Sequence, residues 1–238
     1  MSQQLNDAFT ANPIGFLKRH LIVKNRLETV RPARTLPLEF LINFEYITRQ
    51  PLPEDPPYLI KRLSRWRRKL KPMRSVQIQF CYLNANNPGS NFTPTPQNPG
   101  IRIYYVPYSE STGHFRTLGQ NVDFVFTHTL SGCRILTSMP NSHPFNMLHL
   151  GGQASSATRQ RKITTCFNGA AYREIGDQQY SETHTRGEDA ENTNLIGIRN
   201  SRGIWDFYGQ GYDTGFAIAG KFKSKEGAEG MTHLCPFW

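Results

Sequence analysis

The spacing of apolar positions along this chain changes once, near residue 75. Upstream, "PIGFLKRHLIVKNRL" (13–27) opens with a proline suited to a first helical turn and sets Phe16, Leu17, Leu21, Val23 and Leu27 at mixed helical spacing. "LPLEFLINFEYITRQ" (36–50) is a second apolar-rich segment. "PPYLIKRLSRWRRKL" (56–70) places Leu59, Ile60, Leu63, Trp66 and Leu70 on one stripe with cations around it. Residues 1–72 are therefore expected to be helical. From Ser75 the apolar positions alternate or run together as strands do: 75–83, 101–106, 122–127, 133–138, 145–150, 162–167, 195–200, 204–209 and 216–222. Between them, 84–100 has Asn/Pro/Gly/Thr loop composition, and the polar stretch 173–193 reads as an exposed loop. The connections are too short for helical crossovers, which favours antiparallel pairing. The expected class is α+β: a mostly antiparallel β-sandwich core with flanking helices and a helical N-terminal third. Residues 1–74 are expected to pack on a 75–238 β-sandwich domain as one compact unit.

Length and charge refine this picture. At 238 residues the chain can bury a sizeable core without staples. It has no run of eighteen apolar residues, and "MSQQLNDAF" lacks the pattern of a signal peptide. Export, if it occurs, is expected by a route without a classical signal. Cys81, Cys133, Cys166 and Cys235 are widely spaced and match no zinc pattern, so reduced thiols and no metal or organic cofactor are expected. The net charge of +10 is concentrated in 61–74, which carries eight Lys and Arg and no acid. Lys61, Arg62, Arg65, Arg67, Arg68 and Lys69 form a candidate polyanion surface on an amphipathic helix. A solvated face, an anionic membrane surface and nucleic acid are the three readings, in that order.

The chemistry concentrates in "LSGCRILTSMPNSHPFNMLHLGG" (130–152). With 133–138 and 145–150 as a hairpin whose turn centres near Asn141, Cys133 stands opposite His149. A register shift of two leaves both on one face as diagonal neighbours, and a shift of one separates them. A free thiol has a pKa of about 8.5, so a nucleophilic cysteine needs a nearby imidazole to take its proton. Ser131 and Gly132 form a turn that would free the Cys133 N–H to hold an oxyanion. Gly151 and Gly152 would let a substrate backbone approach. An accessible thiol follows from that reading. The competing reading is a buried, inert cysteine beside an unrelated histidine.

Elsewhere, His143 reads as a turn residue, His128 as lining the cleft or facing away, and His184 as part of a solvated loop. "GQGYDTG" (209–215) reads as a glycine-rich turn, while Cys81, Cys166 and Cys235 look structural.

"LSGC" (130–133) followed by "HLGG" (149–152) resembles the active-site segment of the cytotoxic necrotizing factor and Burkholderia lethal factor family, bacterial toxins that deamidate a glutamine of a host protein. The likeness spans 127–152. It implies a β-sandwich with flanking helices, Cys133 as nucleophile, His149 as base and Ser131–Gly132 as the turn before the thiol. Thr127, six positions before the cysteine, matches a threonine whose carbonyl orients the histidine. It implies no cofactor, delivery into a host cell, and a host protein as partner, of the Rho-type GTPase or translation-initiation helicase kind. Transglutamination follows if an amine replaces water. Two alternatives stay open: another cysteine hydrolase such as a peptidase, and a non-enzymatic basic binding module in which Cys133 is inert.

Overall fold

The computed structural model describes residues 2–25, 39–46, 74–83, 90–130, 132–176 and 192–213, with short strand segments at 223–224, 226–227, 231–232 and 234–236. Helices α1 (Ser2–Ala11) and α2 (Pro13–Arg19) lead into strands β1 (His20–Asn25), β2 (Glu39–Tyr46), β3 (Arg74–Tyr82), β4 (Ile101–Val106), β5 (Gly113–Leu118), β6 (Phe124–Thr127), β7 (Arg134–Ser138) and β8 (Phe145–Leu150). Helix α3 (Ser156–Phe167) follows, then β9 (Tyr172–Ile175), β10 (Asn192–Arg199) and β11 (Trp205–Asp213).

The strands make two sheets. The larger runs β1-β3-β2-β4-β6-β10-β11, and both 223–224 and 234–236 pair with β11. The smaller runs β5-β8-β7-β9. Pairing is antiparallel except for β1 with β3 and β4 with β6. Three apolar layers hold these sheets together. Leu5 and Phe9 of α1 and Phe16 and Leu17 of α2 cover the outer face of the large sheet, against Ile42, Phe44, Ile78 and Phe126. Between the sheets lie Val106, Val125, Ile135, Phe145, Met147, Ile175 and Phe207. On the outer face of the small sheet, Cys166 and Phe167 of α3 close over Leu136, Leu148 and Leu150.

The expected α+β class with a helical N-terminal third is overturned: the protein is mostly β, and the described N-terminal residues supply strands as well as two short helices. α2 starts where predicted, with Asn12 capping through the Gly15 N–H and Pro13 in the first turn. It stops at His20, whose backbone is already extended. The segment 36–50, expected as a helix, supplies β2. Its Phe40, Ile42 and Phe44 alternate and are buried together on the helix-covered face. At 162–167, expected as a strand, the chain instead completes α3. Ser155 caps this helix by accepting from the Thr158 N–H, and Asn168 ends it in the left-handed conformation at φ 46°. "GQGYDTG" lies partly in β11, where Gly209 faces Leu195. The basic segment with Lys61, Arg62, Arg65, Arg67, Arg68 and Lys69 lies outside the described residues, as do Ser131, His184 and 216–222.

One glutamine joins the N-terminal segment to the far side of the large sheet. Gln210 of β11 is 0% exposed. Its Oε1 accepts from Ile22 N at 2.9 Å, and its Nε2 donates to the carbonyls of Leu17 and His20, each at 2.9 Å.

Candidate active site

The ends of four strands converge at one end of the sandwich: β4 at Val106, β6 at Thr127, β7 at its start beside Cys133, and β8 at His149. The β7–β8 ladder pairs Ile135 with His149 and Arg134 with Leu150. The register is therefore displaced by two from the one that opposes Cys133 to His149. Even displacement keeps Cys133, Ile135 and His149 on the face between the sheets, with Cys133 diagonal to the histidine. The displacement arises in the connection. Asn146 N donates to the Ser138 hydroxyl at 2.9 Å, and Ser142 N closes a turn on Met139 O at 2.8 Å, so a side chain takes the place of the next ladder bond.

Both residues are deeply placed. Cys133 is 1% exposed, against the expectation of an accessible thiol, and His149 is 0% exposed. The turn before Cys133 is fixed on its upstream side by Leu130, which exchanges two backbone hydrogen bonds with Thr193 at 2.8 and 3.1 Å. Gly132 then adopts φ 80°, where an L side chain is strained, and is exposed. The Gly151–Gly152 pair has a different task from the one expected. A Cβ at Gly151 would lie 2.1 Å from Ser109 O and 2.2 Å from Glu110 O, and one at Gly152 would lie 2.7 Å from Gly132 O. The close backbone approach is made by the protein's own 109–110 turn and by the turn before the thiol.

That 109–112 turn is pinned to the end of β8. Gly151 N donates to Thr112 O at 2.8 Å, Gln153 N to Glu110 O at 3.1 Å, and Gln153 Nε2 to Glu110 Oε1 at 2.5 Å. It carries Tyr108 into the site, directly after buried Pro107. The Tyr108 hydroxyl lies close enough to the Cys133 sulfur for the two groups to interact. Its ring lies 5.5 Å, centroid to centroid, from His149 and stacks on half-buried His128 at 5.2 Å and 19°. His128 Nδ1 in turn lies 3.4 Å from the Tyr105 hydroxyl. Sequence reasoning missed Tyr108. Its only local signal is a tyrosine after a proline at the end of an apolar strand, and the contact that matters depends on where the turn docks.

The electrostatics of His149 are unusual. Burial, with His128 and His114 as further positive neighbours when charged, drives its pKa down to about 3. The Val106 carbonyl acts the other way, toward the imidazolium. Neither ring nitrogen nevertheless has a partner within hydrogen-bonding geometry. Its cross-strand partner on β5, His114, is held near 4, first by burial and then by Arg116 and Lys162. Thr127 is buried and donates its hydroxyl to the His128 carbonyl at 2.8 Å. Its strand neighbour in register is Val106, whose carbonyl acts on His149. His143 is exposed in the β7–β8 connection, and Cys166, in the last turn of α3, is buried with its thiol pushed up to about 12 by burial. Cys81 is half-buried and donates to its neighbour's carbonyl, Tyr82 O, at 3.3 Å. Among the described residues no cluster of three or more His, Cys, Asp or Glu is placed to hold a metal ion.

Comparison with known proteins yields little to add to this geometry. No protein-family model and no curated protein matches the chain. Among solved structures, the C-terminal domain of CNFy from Yersinia pseudotuberculosis aligns over 99% of this chain and 98% of that chain, with a TM-score of 0.39 and 10% identity. A likeness that weak leaves the function to be read from the site. Among the described residues no helix is long and apolar enough to cross a membrane.

Proposed function

We propose that the protein is a toxin-like cysteine hydrolase of carboxamides, acting as a glutamine deamidase on a host protein, with Cys133 as nucleophile and His149 as its base. One observation carries this reading. A fully buried imidazole with both nitrogens lacking a hydrogen-bond partner shares a hairpin face with a cysteine, and a single tyrosine touches both. Buried polar groups in native proteins are almost always satisfied, and an exception at a strand end beside a thiol points to chemistry.

His149 is neutral at pH 7 and so is free to receive a proton. Its low basicity reflects burial first and the neighbouring His128 and His114 after it, and a thiolate forming near it favours the imidazolium. Cys133 transfers its proton to His149 and attacks the side-chain amide carbon. The C=O electron pair moves to oxygen, with the backbone N–H of Cys133, which follows the Gly132 turn, as the proposed donor to it. Collapse of that intermediate breaks the C–N bond, and ammonia leaves with the proton from His149. Water then hydrolyses the thioester. An amine in place of water gives transglutamination at the same site, and a peptide bond in place of the amide gives a peptidase.

The test is mass spectrometry of host-cell proteins treated with wild type and with Cys133→Ser. A gain of about one dalton at a glutamine, given by wild type alone, is the expected result. Identical proteomes from the two treatments sink the assignment.

A further inference from the structure

We propose that the Tyr108 hydroxyl is the second oxyanion donor of this site, a catalytic group that acts beside the Cys133 N–H. The inference rests on the hydrolase reading and adds to it a residue that no sequence motif marks. Acyl transfer at a cysteine places the developing oxyanion one bond beyond the carbon that the sulfur attacks. A donor already beside that sulfur therefore needs only a small rotation of its O–H to follow the charge from sulfur to oxygen. Tyr108 is such a donor: its ring is held against His149 and His128, and its hydroxyl lies within interacting range of the Cys133 sulfur.

Two further features suit it to the task. Burial, followed by the neighbouring Cys133 and Glu110 charges, holds its phenol above the usual tyrosine range, so it keeps its proton at neutral pH and donates without becoming an acid. The ring is also pre-positioned. Pro107 restricts the backbone before it, and the 109–112 turn is anchored to Gly151 and Gln153 by three hydrogen bonds. His128 stacks on one part of the ring and His149 lies against another, so the hydroxyl has little freedom except about its own C–O bond. In the proposed step the S–C bond forms, the C=O pair becomes the oxyanion, and Tyr108 donates a hydrogen bond without losing its proton. Collapse restores the C=O bond, and the hydroxyl returns to the sulfur when the thiolate is released.

Two reagents separate this role from simple contact with the thiol. Acylation by p-nitrophenyl acetate passes through an oxyanion, whereas alkylation by iodoacetamide does not. Both are measured across the thiol titration in a Cys81→Ser background, and the plateau rates are compared. Tyr108→Phe keeps the ring against both histidines and removes only the hydroxyl. Its acylation plateau is expected to fall by about 10²–10³-fold, while alkylation changes far less. Equal losses in both reactions, or no loss in acylation, overturn the proposal. Replacing Tyr108 with 3-fluorotyrosine supplies a stronger donor of nearly the same shape and is expected to raise acylation; a rate no higher than wild type counts against the role even if Tyr108→Phe fails to fold. Wild-type acylation no faster than that of Cys133→Ser would overturn the hydrolase reading itself, and this inference with it.

Discussion

Two buried histidines of this protein solve the same problem in opposite ways. His20, where α2 meets β1 under the helix-covered face, stacks on Phe16 at 4.3 Å, and its ring nitrogens lie 3.1 Å from Phe16 O and 3.3 Å from the Tyr46 hydroxyl. His149, near the end of β8 and between the sheets, is buried more completely and has neither nitrogen hydrogen-bonded. A histidine with both ends occupied is part of the scaffold. One that is desolvated and unoccupied holds free energy available for a partner still to arrive, which in the function proposed above is a proton from the thiol. The cysteines divide in the same way: Cys166 packs from α3 onto the outer face of the small sheet, whereas Cys133 lies beside Tyr108 after the turn where Gly132 adopts φ 80°.

The contrast is most sharply tested by removing the thiol. Cys133→Ser is expected to lower ammonia release at least about 10³-fold, whereas Cys166→Ser leaves the rate per folded molecule unchanged. Loss of activity from the second alone would invert the assignment.

Acid comes next. Unfolded histidine titrates near 6.5, and folded His149 only near 3, so the folded state refuses a proton that the unfolded chain accepts. Above pH 6.5 this makes no difference. Below it stability is expected to fall, by about 3 kcal/mol at pH 4 from His149 alone. Denaturant titrations at several pH values read this slope. His149→Leu should flatten it, and an unchanged slope would mean that the ring is solvated.

The same replacement then separates the two histidines at neutral pH. His20→Leu forfeits both hydrogen bonds and the stack and should cost about 2 kcal/mol. His149→Leu removes a polar group that has no partner, so it should be neutral or stabilising while abolishing activity. Matching stability losses would contradict the distinction drawn between them.

The smallest effect concerns backbone. At Gly132 an added Cβ meets nothing within 4 Å, so Gly132→Ala should cost only the left-handed conformation, about 1 kcal/mol. A much larger drop in melting temperature would show that the turn is packed.

How far the sequence foretold this arrangement depends on where each signal was stored. β4 and β8 were legible at 101–106 and 145–150 because apolar runs between polar turns leave few alternatives. β2 was misread because "EFLINFEY" satisfies helical and alternating patterns equally, and only the cover provided by α1 and α2 selects the strand. α3 was misread because only Cys166 and Phe167 are buried along it, so its apolar face is too short to show a period. β5, "GHFRTL", was not foreseen, since its apolar positions are diluted by His, Arg and Thr that only pairing with β8 explains. At the site, the shared face of Cys133 and His149 survived a register error because the error was even. Tyr108 was invisible for a different reason: its position is set by the docking of the 109–112 turn on Gly151, a contact distant in sequence from the thiol it lies beside.

Gln210 has a consequence for anyone wishing to shorten the protein. Its three hydrogen bonds reach back nearly two hundred positions, to Leu17, His20 and Ile22. Deleting the first twenty-five residues would therefore do more than peel away a cover, since a side chain deep in β11 would lose every bond it makes there, at about 1–3 kcal/mol for each buried polar group left unmet. The N-terminal segment and β11 thus melt together, and a fragment that begins at β2 should express as an aggregate rather than as a smaller folded protein.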